Sequence, residues 1–135
     1  MAAELTLSIV APDRALLEEP VRSVVVPAVN GYLGALKGHE PLIAALKPGY
    51  LEYEDAHSQR HYVAVSGGFV EIANDRISVL ADSAERSTEI DVAKAEAELE
   101  KARQMLRGGD SPLSQEEAVH EIEKATTRIK VARMS

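Results

Sequence analysis

Leu5, Leu7 and Ile9 alternate with Thr6 and Ser8, so three apolar side chains share one face of an opening strand that Pro12 ends. Leu16 and Leu17 come next, then a break is expected at Glu18-Glu19-Pro20, and the β-branched run at 21–26 reads as a strand covered on both faces. Between Pro27 and Gly49 the apolar pieces are short, divided by Gly31, Gly34, Gly38 and Gly49 and by Pro27, Pro41 and Pro48. Such turn chemistry predicts short strands folded sharply back on one another, with His39 and Glu40 exposed at a corner. Further strands are expected at 49–54, 60–66, 69–72 and 76–80, with turns at 55–58, Gly67-Gly68 and Asn74-Asp75. Strands and turns at this density indicate an antiparallel β-sandwich or flattened barrel.

The pattern changes at 83–89, a polar stretch without apolar periodicity. Beyond it Val92, Ala95, Leu99, Ala102 and Leu106 recur at steps of three and four, predicting a helix from about 91 to 106 that Gly108-Gly109 stops. Ser114 and Glu117 form a capping-box pattern and Leu113 with Ala118 a hydrophobic staple; Ala118, Ile122, Ala125, Ile129 and Ala132 continue the stripe on a second helix. The expected architecture is thus a sandwich over residues 1–86 followed by an antiparallel two-helix hairpin over 87–135. Alanine dominates both stripes, and a buried methyl is worth only about 0.8 kcal/mol. A hairpin held this way is expected to part or change partners at modest cost.

Composition removes several function classes. A chain of 135 residues with 45% hydrophobic content supports one modest core and a small appendage. The absence of cysteine excludes disulfides, thiolate metal sites and cysteine nucleophiles. A formal net charge of −7, with the basic residues dispersed among acids, argues against nucleic acid as a partner. No apolar run approaches the length of a membrane span, and Met1-Ala2-Ala3-Glu4 lacks the features of a signal peptide. The expectation is a soluble protein with no direct membrane insertion, associating with a membrane only through partners.

Catalytic and metal chemistry find little support. The four histidines, His39, His57, His61 and His120, lack ligands at metal-site spacing. Gly31-x-x-Gly34 precedes no helix that would hold a phosphate, and Ser66-Gly67-Gly68 lacks a nucleophile-elbow context; it reads as a tight turn or bulge between strands. Glu18-Glu19 and Glu116-Glu117 fit a solvated break and a helix start. No catalytic residue, no metal and no required cofactor are expected.

A family resemblance rests on an ordered set of motifs: Gly31-x-x-Gly34, Gly38-His39-x-Pro41-Leu42, Leu46-x-Pro48-Gly49, the 66–72 segment Ser-Gly-Gly-Phe-Val-Glu-Ile, the 79–86 segment Val-Leu-Ala-Asp-x-Ala-Glu-Arg, and Ile90-Asp91. In order and spacing this resembles the epsilon subunit of rotary ATP synthases across essentially the whole chain, although Lys37 stands where many members carry proline. The resemblance implies a non-catalytic central-stalk subunit of a proton- or sodium-translocating enzyme that couples the gamma subunit to the membrane ring. Its helices would inhibit ATP hydrolysis when they extend toward the catalytic head. The expected location is the cytoplasmic face of a bacterial inner membrane, held there through partner subunits. The resemblance places Gly31, Tyr32, Gly38 and His39 on the docking face; for His39 the alternative is a turn residue bonded to its own loop.

Ile90-Asp91-x-x-Lys94-Ala95 also resembles the Ile-Asp-x-x-Arg-Ala motif through which some epsilon subunits bind ATP. Lys94 and Lys124 stand at arginine positions of that pattern and Arg128 is the matching cation. Lysine keeps the charge but loses the planar fork, so a weak ATP site at Ile90, Asp91, Lys94, Ala95 and Arg128 is expected. The other reading makes Asp91 a helix cap and Lys94 a solvated side chain. At the level of the whole chain, the rival to a rotor subunit is a stand-alone nucleotide-sensing sandwich whose helices close over a small molecule. Co-purification with gamma and the ring separates the two.

Overall fold

The predicted alternation is realised in β1 (Leu5–Ala11), whose Leu5, Leu7 and Ile9 are buried while Thr6 and Ser8 are only half covered. The computed structural model describes residues 5–108 and 115–134. The remaining strands are β2 (Arg14–Ala28), β3 (Gly31–Ala35), β4 (Leu42–Asp55), β5 (Arg60–Ala73), β6 (Arg76–Ala81) and β7 (Ala84–Arg86). In the order β1-β6-β5-β4-β2-β3 they form a sheet that closes on itself, because β1 pairs with β2 as well as with β6. All pairings are antiparallel except β1 with β6. This is the flattened barrel expected from the pattern, its interior filled by side chains such as Leu7, Ile9, Val24, Leu51, Tyr53, Val65, Ile72 and Ile77.

Three local expectations are corrected, and one polar stretch gains a structure. Glu18-Glu19-Pro20 does not break β2, which runs through it. Thr6 lies opposite Pro20 but sends its own N–H to the Asp75 carbonyl at 3.0 Å on the β6 side. The Thr6–Pro20 pair is therefore of the non-bonded kind, and the missing proline N–H faces the edge where pairing with β4 begins only at Val21. Likewise, β4 starts at Leu42, not at Gly49, and passes straight through Pro48-Gly49.

Gly67-Gly68 is not a turn between strands. Both residues sit inside the continuous β5 with positive φ, 91° and 112°, where the strand leaves β7 and meets β6. A Cβ on Gly68 would lie 2.0 Å from the Leu80 carbonyl oxygen, so no other residue fits without moving the β6 backbone. Finally, residues 83–89 are structured: β7 pairs with β5, and Ser87–Glu89 forms a 3-10 turn. Their polarity reflects an edge position rather than a loop.

The helices are α1 (Val92–Gly108) and α2 (Gln115–Ala132), packed on each other through buried Ala95, Ala102, Ala118 and Ala125 as the stripe predicts. Val131 is also fully buried, which the stripe did not include. The Ser114 cap, the Leu113 staple and the 110–112 loop lie outside the described residues. The hairpin rests against the barrel through α2, which packs on β4, β5 and the 3-10 turn.

Candidate functional site

Two regions gather the residues that sequence reasoning singled out. The first is the β2–β3–β4 region. Tyr32, half exposed, lies on β3 opposite Pro27, and its ring centroid is 4.7 Å from that of Tyr50 on β4. Burial raises the Tyr32 phenol above its usual range. Gly31 opens the same strand opposite Ala28. Gly38 sits elsewhere: its N–H donates to Asp75 Oδ1 at 2.7 Å, tying the β3–β4 loop to the β5–β6 turn. His39 is half-buried rather than exposed; its N–H bonds the Leu36 carbonyl and its Nδ1 lies 2.6 Å from the Glu40 carbonyl oxygen. The turn-residue alternative for His39 thus describes its bonding. The structure groups Gly38 with His39 and Gly31 with Tyr32, but does not join the two pairs.

A more extended feature was missed. Phe69 on β5 lies opposite Ala45 of β4 and Leu80 of β6, and Leu80 in turn lies beside Val10 of β1. Ile43, whose partner is Glu71, belongs to the same outward face. Ile43 is 69% exposed, and Phe69 and Leu80 are 59% exposed each. The outer face of four adjacent strands therefore carries an apolar row where polar residues would be expected. The signal was present as phase: once Val70 and Ile72 point inward, Phe69 must point outward, and Ile77 with Val79 does the same for Leu80.

The second region is an open cleft of about 480 Å³ between the hairpin and the barrel. Lys94, Lys124 and Arg128 all line it, so α1 and α2 bring together the three cations that the motif comparison selected. Ile90, Asp91 and Ala95 do not line it; they lie at the start of α1. Asp91 Oδ1 accepts the Lys94 N–H at 3.1 Å and the Asp91 carbonyl accepts that of Ala95 at 3.0 Å, an N-cap arrangement. Ala95 is buried against α2, and Ile90 is the half-buried extended residue before the cap.

Arg128 is committed within the cleft. Its Nε and Nη2 donate to Glu85 at 2.6 and 3.2 Å, and its Nη1 donates to Glu98 at 3.0 Å. One guanidinium thereby ties α2 to β7 and to α1, and the Glu85 hydrogen bond is the main reason it holds its proton above the ordinary range. Across the cleft Arg14 donates to Glu89 at 2.6 Å and keeps that carboxyl below its usual range. The lining includes Asp13, Glu85, Glu89, Glu98 and Glu121 as well as Arg14, Lys94, Lys124 and Arg128, so carboxylates outnumber cations. An incoming anion has to compete with acids already in place.

Elsewhere, Asp55 receives His57 and Gln59 N–H bonds at the β4–β5 turn and stands 2.7 Å from His61 Nε2. The His61 bond leads in pulling the Asp55 carboxyl down to about 2. Among the described residues no cluster of His, Asp and Glu suits a metal ion, and no helix is long and apolar enough to cross a membrane.

Comparison with known proteins agrees with this architecture. The family model for the ATP synthase, delta/epsilon chain, beta-sandwich domain matches residues 4–87, and that for the long alpha-helix domain matches 88–133. The ATP synthase epsilon chain of Desulforamulus reducens is 42% identical over 132 residues, covering 98% of this chain and 99% of its own. That of Moorella thermoacetica is 40% identical over 130 residues, covering 96% and 97%. Among solved structures, a chain of the Euglena gracilis mitochondrial ATP synthase OSCP/F1/c-ring assembly superposes with a TM-score of 0.81 at 26% identity, covering 94% of this chain and 80% of that one. A chain of the Tetrahymena thermophila mitochondrial ATP synthase central stalk/c-ring shares the fold, with a TM-score of 0.60 at 12% identity over 98% and 96% of the two chains. Matched in both its parts and related along nearly its whole length, the chain belongs to the delta/epsilon chain family of ATP synthases.

Proposed function

We propose that this chain is a non-catalytic central-stalk subunit of a proton- or sodium-translocating ATP synthase. Residues 1–86 dock on the gamma subunit and the membrane ring, and residues 87–135 regulate. The observation that carries the reading is the apolar row of Ile43, Phe69 and Leu80. A barrel whose interior is already filled gains nothing by holding a phenylalanine and a leucine side by side in water, whereas a subunit clamped between partners covers them. Gly31, Tyr32, Gly38 and His39 extend the docking surface at the barrel's ends and edge. The location that follows is peripheral, on the cytoplasmic face of a bacterial inner membrane, through partner subunits.

The hairpin acts as a brake on ATP hydrolysis by leaving the barrel and reaching the catalytic head. Its alanine packing supports this, since little area is lost when the helices part. ATP in the cleft would meet Lys94, Lys124 and Arg128, with Arg128 first having to leave Glu85 and Glu98; binding is accordingly weak.

Membrane co-purification is the test. Wild-type chain is expected to come out of membranes with gamma and the ring, and Phe69→Asp with Leu80→Asp is expected to lose both partners while keeping its circular dichroism spectrum. A wild-type chain recovered alone would replace this reading with the stand-alone sensor. A folded double variant that still co-purifies would move the docking surface off the apolar row.

A further inference from the structure

The turn between β5 and β6 holds an aspartate where its geometry favours glycine. Asn74 and Asp75, between the paired Ala73 and Arg76, have φ of 53° and 58°, and a two-residue connection with positive φ at both positions takes glycine most readily at the second. The Asp75 side chain supplies a reason. Its Oδ1 accepts the Gly38 N–H at 2.7 Å, while the Asp75 carbonyl accepts the Thr6 N–H at 3.0 Å. The turn is thus fastened to β1 by its backbone and holds the β3–β4 loop by its carboxylate. That loop is otherwise bonded to itself: the His39 N–H reaches the Leu36 carbonyl at 3.1 Å, Gly38 has the positive φ of 83° that such a turn needs, and His39 Nδ1 faces the Glu40 carbonyl oxygen. Among the described residues, the Asp75 carboxylate is the one hydrogen-bond partner of residues 36–41 that belongs to another element. The segment it holds leads from the exposed Leu36 into Ile43 of the apolar row.

We infer that Asp75 is a positioning residue of the docking surface: its carboxylate sets the Gly38–His39 corner in place before a partner arrives. This role rests on the docking reading given above for Gly38 and His39, and it holds whichever partner subunit meets the corner. A loop fixed in advance loses less conformational freedom on binding, and apparent affinity falls with the fraction of chains whose corner is out of place. One hydrogen bond from a loop amide shifts that balance about two- to tenfold. Asp75 acts through Gly38, so its loss weakens docking by no more than the factor by which it frees the loop.

Two variants test it. Asp75→Gly deletes the acceptor with a residue that adopts a φ of 58° without strain, and Asp75→Asn keeps an oxygen acceptor while tolerating the same φ. Exchange of the Gly38 amide is followed by NMR in the isolated full chain, and rebinding is titrated against solubilised ATP synthase depleted of this subunit. Asp75→Gly is expected to speed Gly38 exchange about two- to tenfold and to raise the half-saturation concentration at least twofold. Its urea midpoint should stay near that of wild type, because strain relieved at the turn offsets the lost bond. Asp75→Asn should show the smaller effect in both readouts. A carboxylate that serves the turn alone predicts instead that Asp75→Gly rebinds as tightly as wild type. That result, unchanged Gly38 exchange in Asp75→Gly, or an Asp75→Asn as impaired as Asp75→Gly would overturn the positioning role. If the wild-type chain does not rebind, the docking reading itself fails, and Gly38 exchange then decides alone: faster in Asp75→Gly, Asp75 still holds the corner; unchanged, it does not.

Discussion

Removing the Arg128 guanidinium should release the hairpin without harming the barrel. Arg128→Ala deletes three hydrogen bonds, of 2.6, 3.2 and 3.0 Å, that join α2 to Glu85 on β7 and Glu98 on α1. The Arg128 side chain is 18% exposed, between the solvent-exposed pairs worth about 0–1 kcal/mol and the fully buried ones whose rupture costs about 3–5 kcal/mol. A cost of about 2 kcal/mol follows, or roughly 30-fold in the balance between docked and undocked hairpin. Hydrogen exchange reads this directly: α2 amides should exchange roughly 30-fold faster, while those of β4 and β5 stay as in the wild type. Arg128→Lys keeps the charge but loses the two-pronged contact, and should fall between. In assembled complexes the same change should lower ATP hydrolysis, because more hairpins reach the extended form. Alpha2 protection within twofold of wild type would refute the claim that this guanidinium holds the hairpin down.

Other outcomes follow from single features. Gly68→Ala should cost about 3 kcal/mol or more in urea unfolding, because of its positive φ and the 2.0 Å approach to the Leu80 oxygen; Gly34→Ala, with nothing within 4 Å, should stay within about 0.5 kcal/mol of wild type. The Asp55 carboxyl, held at about 2 in the folded chain against 3.8 ordinarily, contributes stability that is full above the unfolded value and is lost as pH falls through the folded one. The melting-temperature gap between wild type and Asp55→Asn should therefore shrink between about pH 5 and pH 2. Lys94→Arg with Lys124→Arg should tighten ATP binding by calorimetry, while absence of heat from both proteins would leave Asp91 as a helix cap alone.

What the amino-acid pattern revealed depended on where each residue's constraint lay. The alternation of Leu5, Leu7 and Ile9 and the alanine stripes of the two helices report burial on one face, a local property, and both elements formed as expected. Pro20 and Gly67-Gly68 misled because their meaning is set by neighbours distant in sequence: an edge of β2 facing no partner, and a β6 backbone that leaves no room for a side chain. The cleft was half legible. Lys94, Lys124 and Arg128 stood out by their place in a motif, but Glu85, which occupies Arg128, belonged to a polar stretch without apolar periodicity, where no pattern marked it as a partner. The apolar row escaped because its members come from separate strands and become neighbours only through the register of β4, β5, β6 and β1.

The pairing of β7 has a mechanical consequence. Ser66 N–H reaches the Ser83 carbonyl and Asp82 N–H the Gly67 carbonyl, both at 3.1 Å, so β6 and β7 are stitched along one edge of β5 as far as Arg86. Arg86 then grips the Leu16 carbonyl at 3.0 Å and Arg14 grips Glu89 at 2.6 Å. Between the last grip and the first residue of α1 only Ile90 and Asp91 remain. With 17 and 18 residues, the two helices laid end to end would make an arm of about 50 Å. A short hinge at the root of so long an arm turns a small rotation of two backbone residues into a sweep wider than a helix at the tip.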